Sequence, residues 1–188
     1  MYSTFERAHL FMLKAYKGKK FKYTNIEKSF HAVSVALMIR ETTTIDDYII
    51  AALLHNIITD TDYGYEEIEE QFGTIVADIV NDVTEDMSIA KWFERKKDFM
   101  KRIKKEQDVN ILNIITADRI HNLLMLYEDY KKMGDKLWKS IGRTKEENAY
   151  VYRGTYHIVK EKNINPYLLR RYGILIKDFF GDIDEEDV

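Results

Sequence analysis

Pro166 is the only proline in a chain of 188 residues, and only eight glycines accompany it. Proline removes a backbone donor, and glycine removes the steric bias that keeps the backbone in one conformation. A sequence with so few of either has little means of turning sharply. Loop-rich and all-β folds need many such turns. Helices are the default outcome, and the expected fold class is all-α.

One stretch of this helical frame is apolar on nearly every side. Asp46 is a candidate N-cap, and an almost unbroken apolar run extends from Tyr48 to Leu54. The pattern predicts a buried helix over 46–57. His55-Asn56 closes the run, followed by Ile57, Ile58 and then Thr59, Asp60 and Thr61. An imidazole and an amide delivered into hydrocarbon must find partners, because unpaired buried polar groups are costly. A metal, a substrate or a backbone carbonyl would each serve.

The remaining segments follow the same logic. Ser3 or Thr4 caps a first helix in which Phe5, Ala8, His9, Met12, Leu13 and Tyr16 share a face. Lys17-Gly18-Lys19-Lys20-Phe21-Lys22 closes it, as a solvated turn or as a patch facing phosphate. A second helix is expected from Asn25 to Glu41, with Ile26, Phe30, Val33, Leu37 and Met38 inward and His31 beside that stripe. A short acidic helix ends at Gly73, and residues 74–84 are read as a further helix with Ile75, Val76, Ile79, Val80 and Val83 on one face.

From Ile89 to Gln107 the chain is strongly basic, yet Trp92, Phe93, Phe99, Met100 and Ile103 give it an apolar face. An amphipathic helix with a wet, charged side explains the pattern, with a phosphate-rich ligand as the alternative. Val109 to Tyr130 reads as a second buried helix, interrupted by Asp118-Arg119. Burial raises the pKa of such an aspartate unless a cation or several donors sit against it. His121 and Asn122 fall three and four residues later, on the same face. Thr144 to Glu147 matches a capping box, and Asn165-Pro166 starts a last helix through Phe180. One domain over residues 1–181 and an acidic tail over 182–188 are expected.

Composition removes several functional classes. The net charge of −3 provides no global basic field, so nucleic acid is not an expected partner. The absence of cysteine excludes disulfides, thiolate metal sites and cysteine nucleophiles. The first twenty residues mix charges among apolar positions, which fits neither a signal peptide nor a membrane span. A cytoplasmic protein with no membrane partner is expected, and an oligomer is compatible with the sequence.

His31, His55-Asn56 and Asp118 together supply two imidazoles, an amide oxygen and a carboxylate. Such a nitrogen–oxygen set suits Mn²⁺, Fe²⁺ or Zn²⁺. Spacing alone leaves open whether they converge. Their order resembles the H…HD…D signature of HD-domain metal-dependent phosphohydrolases. Ala51 to Thr61, Phe72-Gly73, Val83-Thr84 and Ala117 to Leu123 resemble the hydrolase domain of RelA/SpoT homologues. There the corresponding segments read A-A-L-L-H-D-x-x-E-D-T, F-G, V-T and A-D-R-L-H-N. The similarity runs from Phe5 to the final helix, as in the small stand-alone alarmone hydrolases.

The resemblance implies a compact HD-like helical bundle that removes pyrophosphate from the ribose 3′ position of ppGpp with Mn²⁺. It places His31, His55, Asn56 and Asp118 at metal positions and makes Asp60 the acid that helps activate water. It sets Asn122 near the nucleotide and Lys19 and Lys20 in a basic segment around a guanosine pyrophosphate-like substrate. Three residues depart from the family pattern: Asn56 replaces aspartate, Thr59 replaces glutamate and Ile115 stands where lysine is usual. The G-x-P-Y stretch before the first histidine is also missing. An amide ligand carries no charge, so it weakens a divalent site and leaves bound water less acidic. Two functions follow: a metal-dependent ppGpp-type phosphohydrolase with altered or reduced activity, or a catalytically degenerate module that senses a nucleotide or binds a protein.

Overall fold

The computed structural model describes residues 2–183, so the expected acidic tail lies outside the described residues from 184 onward. The described residues form eleven helices and one isolated antiparallel bridge, Lys20 to Glu27, with no strand among them. The fold class is all-α. Packing divides the chain into two compact units with their boundary between Thr84 and Glu85.

The first unit contains α1 (Thr4–Ala15), α2 (Lys28–Arg40), α3 (Asp46–Leu54), α4 (Ile57–Asp60), α5 (Tyr65–Phe72) and α6 (Thr74–Val83). α3 is its centre: every residue from Ile49 to Leu54 is buried, and α1, α2 and α6 pack around it. Ser3 caps α1 reciprocally, its hydroxyl accepting from the Glu6 amide and its own amide donating to the Glu6 carboxylate. Ile45, not Asp46, is the N-cap of α3, and Asp46 sits inside the first turn, where its charge complements the helix dipole.

The single helix expected over 46–57 is two. α3 stops at Leu54, Asn56 leaves helical geometry at φ −109° and ψ 8°, and α4 starts afresh at Ile57. α2 also departs from expectation. It starts at Lys28, and Asn25 instead makes a turn with φ of +60°. Its inward face carries His31, Ala32, Val35, Ala36, Met38 and Ile39, while Phe30 and Leu37 are 52% and 62% exposed. Apolar residues wrap most of α2, so periodicity could not select a face. The alanine-bearing side allows the closer helix approach and is the one buried.

The second unit contains α7 (Trp92–Lys105), α8 (Val109–Met133), α9 (Lys136–Ile141), α10 (Lys145–Glu161) and α11 (Pro166–Phe180). α8 is its spine, packed by α9, α10 and α11, and α7 lies against α10. A side chain at Gly154 would bring its Cβ to 3.0 Å from the Met100 sulfur, so this glycine permits the close passage of α10 past α7. Thr144 caps α10 through the expected box, and Asn165 caps α11 with Pro166 in its first turn. The short α9 carries no apolar stripe long enough to have been read from sequence. No described helix is long and apolar enough to cross a membrane.

Candidate metal centre

His31 comes from the first turn of α2, and His55 is the residue that ends α3. Both are buried, at 2% and 3% exposure. The His55 Nδ1–H donates to the Ala52 carbonyl at 2.7 Å. In the neutral ring this bond fixes the tautomer and leaves Nε2 as a lone pair. That lone pair faces His31 Nε2 at 3.0 Å. The Asn56 amide approaches the same His31 nitrogen, its Nδ2 donating at 3.3 Å. An accepting His31 Nε2 thus confronts an accepting His55 Nε2, an arrangement that a cation between them relieves. Two imidazole nitrogens each about 2.1 Å from one ion, at right angles, would lie about 3.0 Å apart. The pair therefore fits a divalent metal.

Asp60 ends α4 and pairs with Lys28, the ammonium lying 2.7 Å from Oδ1. Lys28 also lies over the Phe21 ring at 5.9 Å, and that ring stands edge-on to His31 with centroids 6.0 Å apart. The basic segment before α2 folds back on itself. Phe21 N–H donates to the Ile26 carbonyl at 2.9 Å, Lys28 N–H donates to the Lys19 carbonyl at 3.0 Å, and Lys20 pairs with Glu27 at 3.4 Å. Lys19 and Lys20 thereby reach the start of α2, three residues ahead of His31. Sequence reasoning passed over Lys28, although its i,i+3 spacing from His31 was a usable signal.

In the second unit, Asp118 and Asn122 sit one turn apart on α8. Asn122 Nδ2 donates to Asp118 Oδ1 at 2.8 Å, and Arg119 Nη1 donates to Oδ2 at 3.4 Å. The cation and the donor that a carboxylate at this position requires are both present. Arg119 is buried and extends its other terminal nitrogen to Glu85 at 3.0 Å, with Phe99 beneath its guanidinium at 5.5 Å. Glu85 also receives Lys96, and Arg95 at 3.3 Å. Burial opposes the Glu85 carboxylate, but Arg119 and Lys96 outweigh it and hold its pKa at about 2. Burial, reinforced by Arg119, draws Lys96 down to about 8. Burial also works against Arg119, yet Glu85 and Asp118 raise its pKa above the ordinary value. The charged side of α7 is thus not uniformly wet, since Arg95 and Lys96 are drawn onto Glu85. Ile115 is buried on α8, so no cation occupies that position.

Paired imidazoles with a neighbouring amide, presented by an all-helical chain, belong to a class of helical proteins whose donors suit a divalent ion. Residues 8–143 match the family described as the HD domain, and the chain belongs to that family. A guanosine-3′,5′-bis(diphosphate) 3′-pyrophosphohydrolase from Aquifex aeolicus is 32% identical over 195 residues, covering 90% of this chain and 28% of that protein. The Drosophila melanogaster pyrophosphohydrolase MESH1 is 31% identical over 91 residues, covering 48% of this chain and 50% of its own. The chain thus spans between 28% and half of the length of these curated relatives. Among solved structures, a metazoan ortholog of SpoT described as hydrolysing ppGpp superposes with a TM-score of 0.77 at 21% identity, over 95% of this chain and 96% of that one. A Listeria monocytogenes EGD-e protein superposes at 0.70 with 25% identity, over 80% of this chain and 98% of its own. The metazoan likeness is one of fold.

Proposed function

We propose that the protein is a divalent-metal-dependent phosphohydrolase of the guanosine-3′,5′-bis(diphosphate) 3′-pyrophosphohydrolase type. The observation that carries this reading is the pair of imidazole nitrogens, His31 Nε2 and His55 Nε2, facing each other at 3.0 Å. The names of the relatives in Aquifex and Drosophila support the substrate class. In this reading His31, His55, Asn56 and Asp118 hold the ion; the nitrogen–oxygen donors suit Mn²⁺, Fe²⁺ or Zn²⁺ alike, and the resemblance to ppGpp hydrolases singles out Mn²⁺. When bound, the ion polarises the phosphate and makes its water more acidic. Asp60 accepts the proton as water oxygen bonds to phosphorus; the bond to the ribose 3′ oxygen breaks, that oxygen takes up a proton from solvent, and pyrophosphate is released. Lys19 and Lys20 counter phosphate charge, and Asn122 hydrogen-bonds the nucleotide. A substrate of this kind goes with the cytoplasmic location expected from the sequence.

Two observations favour the second reading, a nucleotide-sensing module without turnover. Asn56 directs its amide nitrogen at His31, and Asp60 is occupied by Lys28. The readings separate in one assay: pyrophosphate release from ppGpp with added Mn²⁺, together with metal content, for wild type and Asn56→Asp. The expected outcome is metal-dependent release by the wild type, with Asn56→Asp holding Mn²⁺ about tenfold more tightly because the ligand gains a charge. An inert wild type restored by Asn56→Asp points to catalytic decay. Two inert proteins with a melting temperature raised by ppGpp establish the sensor.

A further inference from the structure

Lys28 holds an unusual position for a lysine. It is the first residue of α2, one turn ahead of His31. Its ammonium carries three donor hydrogens, and among the described residues Asp60 is its one charged partner. The pair is open to a ligand, with side chains 25% and 24% exposed. The folded-back basic segment adds Lys19 and Lys20 at the same helix start, where Glu27 answers only Lys20. Asn56 and Thr59, on the Asp60 side, are neutral. The start of α2 thus gathers Lys19, Lys20 and Lys28 with Glu27, and Asp60 faces Lys28.

A pyrophosphate group brings several negative charges and more acceptor oxygens than one carboxylate, so it competes well for an exposed ammonium. We infer that Lys28 is a phosphate-contacting residue held in readiness by Asp60: an incoming pyrophosphate group takes the ammonium away and leaves the Asp60 carboxylate free. This deepens the hydrolase reading and rests on it for the role of the freed carboxylate. Before the exchange the ion pair masks Asp60 as a proton acceptor. After it, one event has neutralised the substrate and exposed the base.

The test is calorimetric titration of inorganic pyrophosphate, with Mn²⁺ present, into wild type, Lys28→Gln, Lys28→Arg and Asp60→Asn, each checked for folding by circular dichroism. Lys28→Gln is expected to bind about tenfold more weakly, and Lys28→Arg to stay within about threefold of wild type. Asp60→Asn is expected to bind more tightly, because nothing then competes for the ammonium. Lost repulsion alone would also tighten binding, so the double variant Lys28→Gln/Asp60→Asn is compared with Lys28→Gln: the gain is expected to vanish without Lys28, and a gain that survives overturns the inference. Equal binding by wild type and Lys28→Gln overturns the inference, as does weaker binding by Asp60→Asn or no pyrophosphate binding by the wild type. Lys28-dependent binding without ppGpp hydrolysis would remove the hydrolase reading and leave the phosphate contact standing. Hydrolysis indifferent to Lys28 would do the reverse.

Discussion

Each unit carries a cluster of polar side chains, and the two clusters differ in charge. The first buries neutral ones: His31 and His55 face each other, with a carbonyl and an amide as further partners. The second also buries neutral Asn113, Thr116, Asn148 and Thr155, but its main cluster is charged, setting buried Arg119 between Glu85 and Asp118 and bringing Lys96 and Arg95 onto Glu85. A buried charge is costly without partners, so stability depends on the second arrangement, in which Arg119 pairs through both terminal nitrogens while its Nε is left without a hydrogen bond. Facing imidazoles tolerate, and gain from, a cation between them. The first arrangement is poised for a ligand, and the second holds Asp118 in place between Arg119 and Asn122.

Breaking the charged network should give the largest effect. Arg119→Ala takes from Glu85 one of its three cations, takes the guanidinium from Asp118 and removes one of two guanidinium groups over Phe99, and is expected to cost about 3–5 kcal/mol of unfolding free energy in urea titrations. A loss under about 1 kcal/mol would mean that the network is no more than a surface pair. Acid gives a second measure of the same charges. The folded pKa of Glu85, about 2, lies below its ordinary value of 4.5. The native state therefore binds fewer protons than the unfolded state across that interval. Its contribution is fully present above pH 4.5 and is lost as pH falls towards 2, on the order of 3 kcal/mol in all. Glu85→Gln should flatten that part of the stability–pH curve, and an unchanged slope would remove Glu85 as its source.

The same contrast explains what could be read in advance. Helical class, the buried runs at 48–54 and around Asp118, and the caps at Ser3, Thr144 and Asn165 were legible because each rests on local chemistry: periodicity, a capping box, a proline in a first turn. His31, His55 and Asp118 stood out as polar groups placed in hydrocarbon. Glu85 and Lys96 did not, since a charge in a charged stretch looks like solvated surface until a distant partner is known. Lys28 escaped notice for that reason too. The face of α2 was misread because Phe30 and Leu37 make as good a stripe as Val35 and Ile39, and only packing distinguishes them. The break at Asn56 was hidden because isoleucines on its far side continue the apolar pattern.

A neutral pair should be cheaper to break than the charged network, and the difference should narrow when metal is added. His55→Ala removes a buried imidazole and leaves the Ala52 carbonyl without its side-chain donor, with an expected cost of about 1–3 kcal/mol without metal. With Mn²⁺ at a hundredfold excess over its dissociation constant, the wild type should gain about 2.7 kcal/mol, because the ion binds the folded chain alone. His55→Ala should gain nothing, so the gap between the two proteins widens with metal. Arg119→Ala, if it still folds, should keep part of the metal gain, since both imidazoles remain. Thermal denaturation with and without Mn²⁺ measures all three. A metal-induced rise in melting temperature that survives His55→Ala would place the ion elsewhere and leave the facing imidazoles as an ordinary buried hydrogen bond.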